Sequence, residues 1–299
     1  MDMVDLQHHI CLLTLGGSLG LAPPCQPGAE VGRVLDIGTG TGIWAMQFGD
    51  DHPEADILGV DLSAIQPEFS VVSTAPNVKF EIDDLEEEWT YSQPFDYIHS
   101  RFMTSSIANW KDLLTKAFKY VIIFAAYLLS HVPLDAEPVI GRVEQLSNGT
   151  VTYNTTRYSN LKPGGYIELQ EPDLFAQSDD GSLPSDCALN RYCKLLSEAM
   201  VKLGREYVSV PALKTLMEEI GFVDVTLSCY KWPMNTWPKD AKFKELGAWN
   251  YENISQAAEA LAMAPLTRAF NWSRDEVNVF LIDVRKDLKN RNYHAYFPV

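Results

Sequence analysis

Positive charge is scarce in this chain. Its 299 residues carry 24 Lys and Arg against 40 Asp and Glu, a formal net charge of -16. Phosphate backbones are bound by Lys and Arg that displace counterions, so this balance argues against direct DNA or RNA binding. Membrane-length apolar segments are also lacking: the longest run, residues 121–129, covers nine positions, whereas a bilayer span needs roughly 20. The opening residues lack the basic-then-apolar order of a secretory leader. A cytoplasmic or nuclear protein without membrane contact is therefore expected. The five cysteines, Cys11, Cys25, Cys187, Cys193 and Cys229, are scattered, odd in number and never form C-x-x-C. That pattern offers neither a disulfide framework nor a zinc site, and no metal is expected. Sequons at Asn148, Asn154, Asn253 and Asn271 are chance matches if no secretory route exists.

The chain is rich in apolar side chains, 46% of the total, enough to bury a sizeable core in one domain spanning 1–299. Met3, Leu6, Ile10 and Leu13 recur at helical spacing, so residues 1–17 read as an amphipathic helix closed by Gly16 and Gly17. Short apolar strands then alternate with helix: strands at 33–37, 56–61, 78–82, 95–99 and 166–170, with a helix at 42–48. This order specifies β-α-β units and a parallel α/β sheet with helices on both faces. Residues 182–299 read as a helical elaboration. Ser182 is the expected cap of its first helix; further helices are expected at 211–220, 241–261 and 274–288, and an alternating strand at 223–230.

Chemistry concentrates where the first strand meets its helix. Val34-Leu35-Asp36-Ile37-Gly38-Thr39-Gly40-Thr41-Gly42 puts a glycine-rich turn where backbone approaches a ligand closely. Dinucleotide sites use such a turn to hold pyrophosphate, and Asp36, two residues before Gly38, would repel that anion. The ammonium and sulfonium of S-adenosylmethionine are attracted instead, which disfavours the alternative of a dehydrogenase. Asp61, closing the second strand, suits two ribose hydroxyls, or else caps a turn. Asp83-Asp84-Leu85 offers a carboxylate and an apolar wall at the third strand's end. The fourth strand delivers His99 and Arg101 to its carboxyl end, and Lys162-Pro163-Gly164-Gly165 turns into the fifth.

These elements, in this order, resemble the class I S-adenosylmethionine-dependent methyltransferases. Asp5-Leu6-Gln7-His8-His9, residues 95–101, Tyr230-Lys231-Trp232-Pro233 and Trp237-Pro238-Lys239-Asp240 are similar, more narrowly, to fungal LaeA-like methyltransferases of the secondary-metabolism regulator type. The likeness implies a Rossmann-like sheet of order 3-2-1-4-5-7-6, its last strand started at 294–299 and left incomplete. It implies an S-adenosylmethionine site at Asp36, Gly38, Thr39, Gly40, Gly42, Asp61, Leu62, Asp84, Leu85 and Arg101. His8 and His9 either cover the cofactor as a lid or are ordinary helix residues.

The implied activity is methyl transfer (EC 2.1.1.-) to a small molecule of fungal secondary metabolism. The alternative is a regulator of secondary-metabolite genes that binds the cofactor and acts through protein partners. A sulfonium methyl is already activated, so alignment and water exclusion matter more than a nucleophile. If a hydroxyl is methylated, His99 or Glu171 is the candidate base, with turn-capping the alternative for Glu171. Trp44, Trp110 and Phe102 either line an acceptor pocket or belong to the core. Residues 119–160 read as an insertion foreign to the fold, a retained intron in preference to a substrate lid, because the helix at 110–118 should run almost directly into the fifth strand's turn.

Overall fold

The computed structural model describes residues 3–64, 66, 75–131 and 164–299. Five parallel strands form the central sheet: β1 (Arg33–Ile37), β2 (Asp56–Asp61), β3 (Val78–Ile82), β4 (Tyr97–Arg101) and β5 (Tyr166–Gln170), in the order β3-β2-β1-β4-β5. The strand order reverses between β1 and β4. Loops leaving their carboxyl ends diverge there and open a crevice. Alternation along β1 decides which side chain faces which layer. Val34 joins Trp44, Phe48, Ile57 and Tyr97 on the face of helix α2 (Ile43–Asp51). Leu35 and Ile37 join Ile98, Leu113, Leu114 and Leu213 on the face of α3 (Trp110–His131) and α5 (Val210–Ile220).

A third layer is helical. Helices α4 (Ala188–Lys202), α6 (Ala241–Phe270) and α7 (Arg274–Lys289) share a core of Leu189, Leu196, Ala262, Leu266, Leu281 and Val284. The first helix, α1 (Met3–Thr14), belongs by its apolar face to this layer, since Leu6 and Ile10 pack with Leu246 and Trp232.

Five expectations need correction. The expected 7-6 strands do not join the main sheet: β6 (Lys231–Pro233) and β7 (Tyr296–Pro298) form a separate antiparallel pair. Pro233 and Pro298 lack the N–H that a longer ladder needs. The terminal stretch is not left unpaired, because Tyr230 and Val299 exchange backbone bonds of 2.7 and 2.9 Å beyond the pair and Tyr296 bridges Gln177. Residues 223–230 form no strand: Asp224 sits at φ 55 and Val223 is 83% exposed, so the alternation has no surface to bury. The helix at 182 starts later, capped by Cys187; the Ser182 hydroxyl instead accepts the His294 N–H. Finally, 119–131 continue α3, with Tyr120 and Val121 buried in its core. The remainder of the expected insertion, together with Lys162 and Pro163, lies outside the described residues.

Candidate functional site

At the crevice, Gly38, Gly40 and Gly42 take φ values of 67°, 57° and 78°, a conformation that an L side chain resists. The Gly38 and Thr39 amides donate to the Val60 carbonyl at 2.9 and 3.0 Å, tying the turn to β2. Phe80 fills the space beneath Gly42 and Gly59: a Cβ on Gly42 would collide with its Cζ, and one on Gly59 would lie 2.7 Å from its Cδ1. Asp61 braces the turn from the side: Oδ2 accepts the Gly40 N–H and Oδ1 the Ser63 N–H, both at 2.9 Å.

The ends of β2 and β3 lie side by side, joined by Asp83 N–H to the Asp61 carbonyl at 3.1 Å. Leu62 and Ile82 stand 70% and 63% exposed there, beside the exposed carboxylates of Asp83 and Asp84. Two bare apolar side chains flanked by acids can hold a flat, amine-bearing ring. Ile82 escaped sequence reading because it looked like an ordinary strand residue; its exposure becomes visible only in the folded chain. Leu85 is placed differently: it is buried in the α3-side core and its carbonyl accepts Trp89 Nε1–H.

Asp36 lies under the turn with both oxygens engaged. Oδ2 accepts the Thr39 hydroxyl at 2.6 Å and Oδ1 faces His99 Nδ1 at 2.7 Å. The parallel register sets Asp36 opposite His99 on one face of the sheet. Trp44 stacks on the imidazole at 3.7 Å and 4°. A carboxylate accepts only, so Nδ1 donates its hydrogen to Asp36. Nε2 is buried and has no hydrogen-bond partner among the described residues.

Helix α1 covers this assembly. Val4 packs over Gly40, and Asp5 Oδ1 accepts the Thr41 hydroxyl at 3.2 Å. His8 bridges the layers: Nε2 meets Gln47 Oε1 at 2.7 Å and Nδ1 meets Arg101 Nη1 at 3.0 Å. Arg101 thus reaches α1, and His9 packs edge-on against Trp249 of α6.

A family profile described as a methyltransferase domain matches residues 19–149. The methyltransferase pytC of Aspergillus terreus is 34% identical over 99% of this chain and 77% of its own length. The probable methyltransferase tdiE of Emericella nidulans is 33% identical over 100% of this chain and 79% of its own. The secondary metabolism regulator LAE1 of Cochliobolus heterostrophus is 31% identical over 99% and 83%. The chain belongs to the LaeA-like methyltransferases. In this methyltransferase the hollow of about 690 Å³ lined by Glu30, Gly32, Asp51 and Glu54 lies at the opposite, amino-terminal end of β1. Ligands of parallel sheets sit at the carboxyl ends, so that hollow is set aside.

On the acceptor side, Trp44 and Trp110 are both core residues, 1% and 3% exposed. Phe102 is half-buried and sits 6.0 Å from Trp232. Glu171 does not open onto the crevice: it is 2% exposed and its oxygens are taken by Met103 and Thr104. Among the described residues no helix is long and apolar enough to cross a membrane, and no cluster of metal-ligating side chains occurs.

The His8 contact gives the methyltransferase a pH dependence. Burial, and then the Arg101 guanidinium, push the His8 pKa down from 6.5 to about 4. The folded protein keeps His8 neutral while the unfolded chain takes up a proton below pH 6.5, so folding loses stability as pH falls from 6.5 towards 4. The loss is on the order of 2 kcal/mol. Urea titrations at pH 7 and pH 4.5 should show His8→Gln losing less than wild type; equal losses would remove His8 from the account.

Proposed function

We propose that this protein transfers the methyl group of S-adenosylmethionine to a small molecule of fungal secondary metabolism. The observation that carries the reading is the carboxyl end of β1–β3: three left-handed glycines beside Asp61, with Leu62 and Ile82 bare next to Asp83 and Asp84. The cradle has room only while Gly42 lacks a Cβ, and its acids suit amines and hydroxyls better than phosphate. These residues fit the cofactor. Asp61 would accept from ribose hydroxyls, Asp83 or Asp84 from the adenine amine, with Leu62 and Ile82 against the ring faces. When bound, the cofactor supplies an electrophilic methyl on sulfur. The protein's share is to hold the turn, to exclude water with α1 and to orient the acceptor near Phe102 and Trp232. The kinship with pytC, named a methyltransferase, and tdiE, named a probable methyltransferase, supports methyl transfer; the kinship with LAE1, named a secondary metabolism regulator, supports the regulatory reading.

Incubation with labelled S-adenosylmethionine and a fungal metabolite extract is expected to label small molecules. Label on proteins, or on nothing while the cofactor binds, would favour the regulatory reading. Asp61→Ala should weaken S-adenosylhomocysteine binding by about 1.5–3 kcal/mol, the worth of a hydrogen bond to a charged group. Calorimetry giving an unchanged affinity would return Asp61 to bracing Gly40 and Ser63 alone.

A further inference from the structure

β4 ends in a corner that a strand does not need. Phe102 takes φ 57, rare for a bulky residue, while its N–H still donates to the Gln170 carbonyl at 3.1 Å. The chain then places Met103 against the glycine turn, where a Cβ on Gly38 would collide with Met103 Sδ. Phe102 itself faces Trp232 beneath α1. One carboxylate gathers this corner: Glu171, directly after β5, accepts the Met103 N–H at 2.9 Å through Oε1. Through Oε2 it accepts the Thr104 N–H at 2.9 Å and the Thr104 hydroxyl at 2.5 Å.

We propose that Glu171 is a positioning residue that holds the corner at 102–104 against the glycine turn, fixing both the cofactor-side Met103 and the acceptor-side Phe102. The proposal rests on the reading of that turn as the cofactor site. Both carboxylate oxygens accept from protein donors and the side chain is 2% exposed, which suits holding the corner better than meeting an acceptor hydroxyl. Its donors are all uncharged; the neighbouring titratable group is Tyr207, which feels the charge of both Glu171 and Asp173. Burial raises its pKa from 4.5 to about 7, against the three hydrogen bonds that lower it. Protonation converts one oxygen from acceptor to donor, and an N–H facing it then loses its partner. The corner is therefore held more firmly at pH 8 than at pH 6.

The test is S-adenosylhomocysteine affinity by calorimetry from pH 6 to pH 8.5. Wild type should bind several-fold more tightly at the alkaline end. Glu171→Gln should bind roughly tenfold more weakly at pH 8 with a flat profile, the loss of about one charge-assisted hydrogen bond. Thr104→Val removes a single donor and should move the wild-type midpoint to higher pH, so it carries the test should Glu171→Gln fail to fold. A base acting on the acceptor predicts the opposite: product affinity unchanged in Glu171→Gln and turnover lost. That result, or an unmoved midpoint in Thr104→Val, overturns the proposal. No S-adenosylhomocysteine binding by wild type overturns the cofactor reading itself.

Discussion

Gly42→Val should abolish measurable S-adenosylhomocysteine binding. Gly42 is both the last residue of the turn and the amino-terminal cap of α2, at φ 78. A β-branched side chain there is a steric outlier, and left-handed backbone alone costs an L-residue roughly 1–2 kcal/mol. The new Cβ also meets the Phe80 ring, 2.6 Å from Cε1. The ring is wedged between the two glycines, its Cδ1–Cε1 edge already filling the space over Gly59. Overpacking of this kind costs a further ~1–3 kcal/mol. Relief comes by flattening the turn or expelling Phe80, and either one moves the amides that Val60 and Asp61 hold. Gly28 supplies the control: it has the same φ of +78, with nothing within 4 Å of a built Cβ. Gly28→Val should therefore lower the melting temperature slightly and leave binding intact. Wild-type affinity in Gly42→Val would mean that the turn is not the ligand site.

Local patterns fixed much of this architecture. The five parallel strands and the helices around them follow from short apolar runs between helical ones, and Gly221, at φ 119, ends α5 where the sequence places it. The glycine turn was legible because its spacing is local. Long-range facts were not. Residues 223–230 alternate, but a strand exists only when a partner accepts its bonds along its length; here Tyr230, at the very end, pairs with Val299, and Asp224 at φ 55 breaks the extended run before it. The helix was read as stopping at residue 118 because 121–129 have no polar face. Tyr120 shows why it continues: its hydroxyl donates to the Trp89 carbonyl across the core. Asp36 read as a ligand for an ammonium and His99 as a free base. Only the strand register reveals that each faces the other. Likewise Glu171 looked available until the corner at 102–104 turned its amides onto it.

His99→Ala should cost the fold more than it costs the chemistry. The imidazole is wholly buried, sandwiched by Trp44 and holding Asp36 Oδ1, itself 2% exposed. Truncation opens a cavity beside Trp44 and leaves a buried carboxylate held by the Thr39 hydroxyl. Breaking such a buried pair from one side costs about 3–5 kcal/mol, or a fall in melting temperature of roughly 10 °C for a domain of this size. A catalytic base makes the contrary forecast: a variant that melts like wild type, binds S-adenosylhomocysteine normally and has lost turnover. Replacing both partners separates the two accounts. In Asp36→Leu with His99→Phe, an aromatic ring still stacks on Trp44 and no charge is stranded, so the double variant should recover much of the stability lost in His99→Ala. Losses that simply add would mean that the two side chains act independently. Recovered stability without recovered cofactor binding would assign the pair to holding Thr39, and through it the turn, in place.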